Sequence, residues 1–503
     1  PTMPTMGTMT YRVRDDTENP LPVRLVLRGL ASTKDPNFGA DGPAWGVANM
    51  AYSLTGTGTL ALAPGRYRVL VVHGPEFSWA VQDVTITAGK ATVLDAHLVR
   101  QVHSTNAISA DLHLHASPSH DSAASLADRI IQLAAEGIEA AAATDHNAVT
   151  DYGPTAKALS LPVPMVLMRG CEVTTSRAMW GHFNIFPLPK STKAPAYRNQ
   201  KPSDMFRRWH QIPGNPIVQV NHPRLTYLGY MNQVDYDPRF GKAFASGFSK
   251  NYDAIEVFNG TRMFAPKRLD RALRDWYSLL NLGDRVTATG NSDSHKLAFQ
   301  EAGYPRNDII VGRNDPTKVT PKQIAAALRR HAVVVTSGPS IAVERPVTKG
   351  LGPADKSVIG TQLKGPVNLD VLVQAACWLP VTKLRLIANG RVVRTWTLSK
   401  DRAVEDANPS PDVSLPVPAA SPLARLDRPT GALTSCRGQH VTVHLHLAPN
   451  SDTWYVLQAI GSFDNPTLIR RGGIDVAFTN PVWIDADGDG RFKAPGIVPP
   501  PTR

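Results

Sequence analysis

Ala110-Asp111-Leu112-His113-Leu114-His115 closes an apolar run that begins at Ile108, and Ala116-Ser117-Pro118-Ser119-His120-Asp121 follows at once. The run predicts a short buried strand over 108–115, with polar residues alternating at its end. Side chains two apart on a strand share a face, so His113 and His115 point to the same side. Two imidazoles converging from one strand end are a ready pair of metal ligands, or else two hydrogen-bonded histidines at a strand terminus. The pair alone does not choose between these. What recurs downstream does.

From about 106 to 340 the pattern alternates strands with helices. Leu126, Ile130 and Leu133 fall at helical spacing within a helix expected from Ser122 to Gly137. Strands are predicted at 140–144, 165–168, 216–220, 254–258, 286–289 and 333–335, and helices at 154–159, 203–210, 267–280 and 320–331. Such alternation predicts a parallel α/β barrel or a doubly wound sheet. No Gly-x-Gly-x-x-Gly follows a strand, which argues against a dinucleotide site.

Metal-ligand residue types recur where these strands end. Asp145-His146-Asn147 follows 140–144, and Cys171-Glu172 and then Gly181-His182-Phe183-Asn184 follow 165–168. Asn221-His222-Pro223-Arg224 follows 216–220, Glu256 lies on 254–258 ahead of Asn259, and Asn291-Ser292-Asp293-Ser294-His295 follows 286–289. Each has an ordinary role open to it: His146 bonding a carbonyl, His222 packing on its proline, Glu172 as half of an ion pair. Their shared placement argues for one site, because the carboxyl ends of parallel barrel strands meet on one face. Imidazoles with carboxylates and no thiolate cluster suit zinc, manganese or iron. The set is too large for one four-coordinate ion, so two or three divalent ions sharing a carboxylate are expected.

The ordered set His-x-His, Thr-Asp-His-Asn, Glu, His, Asn-His-Pro and Ser-Asp-x-His resembles the polymerase-and-histidinol-phosphatase (PHP) superfamily over about 106–340. The β-rich flanks, Gly-His-Phe-Asn and Asn-Ser-Asp-Ser-His resemble its carbaryl-hydrolase-like CehA/McbA branch. The resemblance implies a distorted (β/α)7 barrel, a di- or trinuclear centre, and metal-dependent hydrolysis of phosphoesters or, in the branch, of carbamates and carboxyl esters. By position it implies that His113, His115, Glu172 and Asp293 hold a first ion. Glu172 would bridge to a second, completed by His182 and His222, and Asp121, His146 and His295 would take a third. Asp121 has a competing role as N-cap of the helix expected from Ser122, and His120 beside it is a competing ligand. Glu172, Asp293 and Arg224 are the residues expected to carry catalysis. Arg224 would bind an anionic substrate oxygen or close a salt bridge at the rim. Glu256 would orient a ligand or be a plain strand acid. The alternative from another class is a catalytically idle module on this scaffold, binding an envelope polymer or another ligand; the intact ligand set argues against it.

Outside this segment the sequence reads as β. Residues 1–105 predict an N-terminal β-sandwich, 106–347 the barrel, and 348–503, after a Gly/Pro-rich junction at Thr348–Pro353, a second sandwich. Asn389-Gly390 predicts a hairpin turn, and Ala403–Pro422 a polar, Pro-rich loop. Asp485, Asp487 and Asp489 open like a calcium loop, but Gly496 stands at the twelfth position, so a polar hairpin turn competes. The 503 residues carry a formal net charge of +12, which is compatible with nucleic acid, anionic envelope polymers or an anionic substrate, and the partner expected is a small-molecule or anionic ester substrate. Lys and Arg are scattered, with no basic block interleaved with aromatics, so no nucleic-acid partner is expected. No apolar run is long enough to span a bilayer. Of three cysteines, Cys377 and Cys436 could pair in an exported chain, while Cys171 reads as a buried free thiol. The sandwich flanks, few cysteines and a start at Pro1 without a signal core lead to an expected periplasmic or secreted location.

Overall fold

The strand expected at 165–168 ends at Arg169, Gly170 separates it from a further strand at Cys171–Thr174, and the α/β segment is built around that break. The computed structural model describes residues 5–40, 46–104, 106–175, 180–260, 266–346, 356–415, 436–461 and 473–497. Ala107–Leu114 is buried along its whole length and pairs in parallel with Ala140–Ala143, which pairs in parallel with Val166–Arg169. Beyond Gly170 the chain enters a second sheet, in the order Cys171–Thr174, His182–Phe186, Ile217–Val220, Ala254–Asn259, Thr287–Asn291. The last two pairings are parallel and the first two antiparallel. The uniform parallel alternation expected from sequence is therefore not built. Cys171–Thr174 and His182–Phe186 are too close in sequence for the crossover that a parallel pair needs, and they pair antiparallel.

The two sheets approach again at their other ends. Asp293 N donates to His113 O at 2.9 Å and His115 N to Ser294 O at 3.1 Å, which joins the carboxyl ends of Ala107–Leu114 and Thr287–Asn291. The helix expected from Ser122 begins instead at Leu126, where Ser125 Oγ accepts from Asp128 N at 3.0 Å. The preceding residues form a turn of their own, with Ser119 N bonded to Ala116 O. Pro321–Arg329 is closed by a capping box between Thr320 and Gln323, which fixes its first turn.

Taken over its described residues the chain is a strand-rich α/β protein with several sheets and few helices. At the N-terminal end a three-stranded and a five-stranded sheet enclose Met9, Tyr11, Val13, Leu25, Leu27, Val69 and Val71. The sheet of Ala107–Leu114 does not stop at the α/β segment. Arg306–Ile310 extends it to Val333–Thr336, which pairs on its far side with Val476–Thr479 and so leads into the carboxyl-terminal strands. Ser340–Glu344 pairs with Val367–Ala375 in a separate sheet. These layers close over Val371, Val373, Leu384, Leu386 and Val441.

The Thr348–Pro353 junction and residues 416–422 of the Pro-rich stretch lie outside the described residues. Ala403–Glu405, expected as loop, adds a strand to Arg391–Leu398. Cys377 and Cys436 form a disulfide, and Cys171 is buried and free. In the aspartate-rich turn the acid that converges on Asp485 and Asp487 is Asp452, just ahead of the strand Thr453–Gly461, not Asp489. Asp485 accepts Gly488 N and Gly490 N, while Lys493 Nζ lies 2.5 Å from Asp487 and 3.0 Å from Asp489. The turn thus carries its own hydrogen bonds and its own cation. No helix among the described residues is long and apolar enough to cross a membrane.

Candidate metal centre

Glu172 is the hub of the site. Its Oε1 lies 3.2 Å from His113 Nε2, 3.1 Å from His182 Nδ1 and 3.5 Å from His222 Nε2. Its Oε2 lies 2.6 Å from His146 Nδ1 and 3.7 Å from His115 Nε2. Asp293 Oδ1 is 3.2 Å from His113 Nε2 and 3.3 Å from His115 Nε2. Asp121 Oδ2 is 3.3 Å from both His146 Nε2 and His295 Nε2. Strand alternation places His113 and His115, and strained backbone places others: His222 has φ 28° and Asp293 φ 51°. Non-glycine residues hold that left-handed region at a cost of about 1–3 kcal/mol, which the surrounding structure must impose.

Four groups of donor atoms converge within 4.8 Å: His115, Asp121, His146 and His295; His113, His115 and Glu172; His113, His222 and Asp293; and His146, Glu172 and His182. All nine residues singled out from sequence as ligands lie in these groups. Their partition differs from the one implied by resemblance. His222 falls with His113 and Asp293, and His146 is shared between the Glu172–His182 pair and the outer Asp121–His295 pair. Asp121 joins the outer group and caps no helix. His120 is exposed, with its ring centroid 5.2 Å from that of His146, and belongs to none of the four groups.

A second layer of side chains fixes the imidazoles. Glu256 Oε1 is 2.9 Å from His113 Nδ1 and accepts Asn291 Nδ2, and its Oε2 accepts His222 N and Asn259 Nδ2. Glu256 therefore fixes the ring of His113 and the backbone of His222. Ser119 Oγ is 2.9 Å from His115 Nδ1 and donates to Asp145 Oδ1 at 2.7 Å. Because Ser119 spends its proton on Asp145, it accepts from His115 Nδ1–H, and the Nε2 lone pair of His115 faces the cluster. Asn221 Nδ2 donates to Glu172 Oε1 at 2.8 Å and to Asn184 Oδ1 at 2.7 Å. Ser119, Asp145, Asn184 and Asn221 were given no role from sequence. Each is a buried polar residue one to four positions from a candidate ligand, and that is the signal that marks them.

The donors fit divalent cations. His115 Nε2, His182 Nε2 and His222 Nδ1 are buried without a hydrogen-bond partner, a cost of about 1–3 kcal/mol each if nothing meets them. Burial raises the Glu172 carboxyl, yet His182, His146 and His113 override it and hold the group well below the usual carboxylate range. Asp293 is likewise lowered against its burial, by His113 and His115. Burial lowers His146, but Glu172 and Asp121 prevail and push it up to about 10. The carboxylates are thus ionised in a pocket that demands positive charge, which is what a metal ion brings.

Arg224 does not face this pocket as a substrate group. Its Nε and one terminal nitrogen each bond Asp275 at 2.6 Å, and its other contacts are Asn232 Oδ1, Met231 O and Tyr236 O. Every guanidinium nitrogen is engaged, and Asp275 is fully buried. The expected anion-binding role gives way to the salt bridge, which ties the 223–236 excursion to the helix Pro266–Asn281.

No family model and no curated protein matches the chain. Among solved structures it is similar to a two-domain protein of Bacteroides vulgatus containing a predicted PHP-like metal-dependent phosphoesterase, at 17% identity over 57% of this chain and 81% of that one, with a TM-score of 0.36. It is also similar to a minor pilin of Streptococcus agalactiae, at 16% identity over 20% of this chain and 47% of that one (TM-score 0.17). The Bacillus anthracis TIE protein matches at 14% identity over 22% of this chain and 18% of that one (TM-score 0.15).

Proposed function

We propose that this chain is a metal-dependent hydrolase of the PHP superfamily acting on an ester-type bond. One observation carries the proposal: a buried carboxylate, Glu172, within 3.7 Å of five imidazoles, with Asp293 and Asp121 completing donor groups on either side. On this reading the strands 107–114, 140–143, 166–169 with its continuation 171–174, 182–186, 217–220, 254–259 and 287–291 are the seven of a distorted (β/α) barrel. His113, His115, His222, Glu172 and Asp293 would hold the inner ions, with His182 and His146 on the far side of Glu172. Asp121, His146 and His295 would hold the outer one. Zinc, manganese or iron bound there supplies Lewis acidity and lowers the pKa of water.

The chain's own residues supply the rest. Glu256 and the Ser119–Asp145 pair lock the rings of His113 and His115, so no reorganisation is needed when substrate arrives. His113, His115 and Glu172 are fully buried, whereas the Asp121 side chain is 43% exposed and that of His295 16%. Substrate therefore enters over the outer pair, and the inner residues stay out of bulk water.

With Arg224 engaged elsewhere, its part in the case for a phosphoester falls away. The carbaryl-hydrolase-like reading, for a carbamate or carboxyl ester, rests on Gly-His-Phe-Asn, Asn-Ser-Asp-Ser-His and the β-rich flanks. The disulfide supports an oxidising, periplasmic or secreted setting.

A matched panel tests the function: an aryl phosphomonoester, a phosphodiester, an aryl acetate and an aryl N-methylcarbamate, after loading with zinc or manganese. Turnover is expected to vanish with chelator and in His113→Ala, and its distribution names the bond. Saturable metal binding with no turnover anywhere on the panel would count against the hydrolase and for a binding module.

A further inference from the structure

The loops that bring Asp121 and His295 to the outer group have their feet in the N-terminal sandwich. Ala124, Leu297 and Ala298, each no more than 2% exposed, share one apolar cluster with Val26, Met50, Tyr52 and Leu70. Tyr52 comes from the strand Met50–Ser53 of that sandwich, and its hydroxyl donates to Leu297 O at 2.9 Å. Gln132 Nε2 donates to the same carbonyl at 2.9 Å and to Tyr52 Oη at 3.0 Å.

The chain of bonds continues inward to the ligands. Gln132 Oε1 accepts from Arg129, whose guanidinium also bonds Ser294 Oγ at 2.7 Å, Ser294 O at 3.0 Å and His115 O at 2.9 Å. Ser122 Oγ donates to His295 O at 2.7 Å, so the two loops are also tied to each other. Arg129 and Gln132 are fully buried. The sandwich itself is pinned to the same helix by a buried Arg24–Glu136 ion pair. His115 and His146 follow closely on strands of the α/β segment, whereas Asp121 and His295 lie on loops, where His295 N also donates to Gln300 Oε1 at 2.9 Å.

We propose that the N-terminal sandwich is part of the metal centre, with Tyr52 as a positioning residue. Together with the seating of Leu297 and Ala298, it holds the loops of Asp121 and His295 in ligating position. Occupancy of the outer group and docking of the sandwich are then linked, and each favours the other to the same degree. This rests on the metal-centre reading and adds to it a partner within the chain. Tyr52→Phe removes one hydroxyl and keeps the ring in its apolar cluster. Outer contacts to a metal ligand are worth about 10–100-fold in affinity, and Tyr52 acts one step further out, so about tenfold is expected at the outer group alone.

The experiment is metal content per chain, read by mass spectrometry after dialysis against graded chelator. It compares the full-length chain with Tyr52→Phe, Leu297→Ala and Tyr67→Phe. Tyr67 is the control, a buried tyrosine of the same sandwich whose hydroxyl bonds Ala63 O. Tyr52→Phe and Leu297→Ala are expected to lose the most weakly held ion at about tenfold lower chelator, while the remaining ions and Tyr67→Phe follow the unsubstituted chain. Hydrogen exchange at Met50–Ser53 is expected to slow when zinc is added to the unsubstituted chain. Identical chelator curves for all four chains, with exchange insensitive to zinc, would overturn the linkage while leaving the centre in place. An unsubstituted chain that takes up no metal would overturn the centre itself, and the linkage with it.

Discussion

Replacing Arg224 by methionine separates the two roles that its position after His222-Pro223 allows. In the structure the guanidinium makes two 2.6 Å bonds to Asp275, which is fully buried, and covers Met231 O and Tyr236 O. Burial already pushes Asp275 up to about 6 with the arginine in place. Without it, that carboxylate must either take a proton or stay ionised and unpaired. Breaking a buried pair from one side costs about 3–5 kcal/mol, and the uncovered carbonyls add about 1 kcal/mol each where water does not reach them. The expected result is a loss of about 5–7 kcal/mol in urea unfolding of Arg224→Met. Part of that loss should return in Arg224→Met/Asp275→Leu, which leaves no orphaned charge. Where Arg224→Met remains folded, KM for an anionic aryl phosphate and for a neutral aryl acetate should change together. Unchanged stability with a rise in KM confined to the anionic substrate would refute the assignment and return Arg224 to the substrate.

Glu256→Gln keeps the shape of the second layer but weakens the hold on His113 Nδ1. Metal affinity is expected to fall about 10–100-fold with an unchanged far-UV spectrum, checked by chelator competition and circular dichroism. His331 gives a pH dependence away from the site: burial, with Arg285 nearby, depresses it to about 4, and its Nδ1 lies 2.7 Å from Thr287 Oγ1. The folded state keeps this imidazole neutral while the unfolded state binds a proton below its ordinary value of 6.5, so this contribution is complete above pH 6.5 and is lost as pH falls towards 4. Between pH 6.5 and 5 the loss is about 2 kcal/mol, and His331→Asn, which suits the left-handed φ of 58° there, should remove it from the urea-unfolding profile.

The candidate ligands stand out in the sequence where two independent marks coincide, residue type and placement at a strand end. His146, Glu172, His222 and Asp293 all show both, and the structure gathers every one. Arg224 carried only one mark, adjacency to His222. Its partner Asp275 lies on a helix 51 residues away, and no local pattern announces a pairing at that separation. The fold was legible to the same depth. Period-two runs gave the flanking strands, but the change from parallel to antiparallel after Gly170 turns on a connection whose length matters more than its composition.

How the ligands divide into groups was beyond the sequence for a different reason. His115 belongs to two groups at once, as do His113, His146 and Glu172, so assigning each ligand to one ion is not a property of any single residue. It follows from where the second layer points each ring: Ser119 and Asp145 leave His115 Nε2 facing Asp293, and Glu256 leaves His113 Nε2 between Asp293 and Glu172. Ser119, Asp145 and Glu256 come from three separate segments, and Tyr52 extends the same logic into a fourth, more than 60 residues ahead of His113. The centre is thus specified by contacts of long sequence separation acting on ligands of short, recognisable motifs. Substitutions in the motifs should therefore abolish metal binding, and substitutions in the second layer should redistribute it.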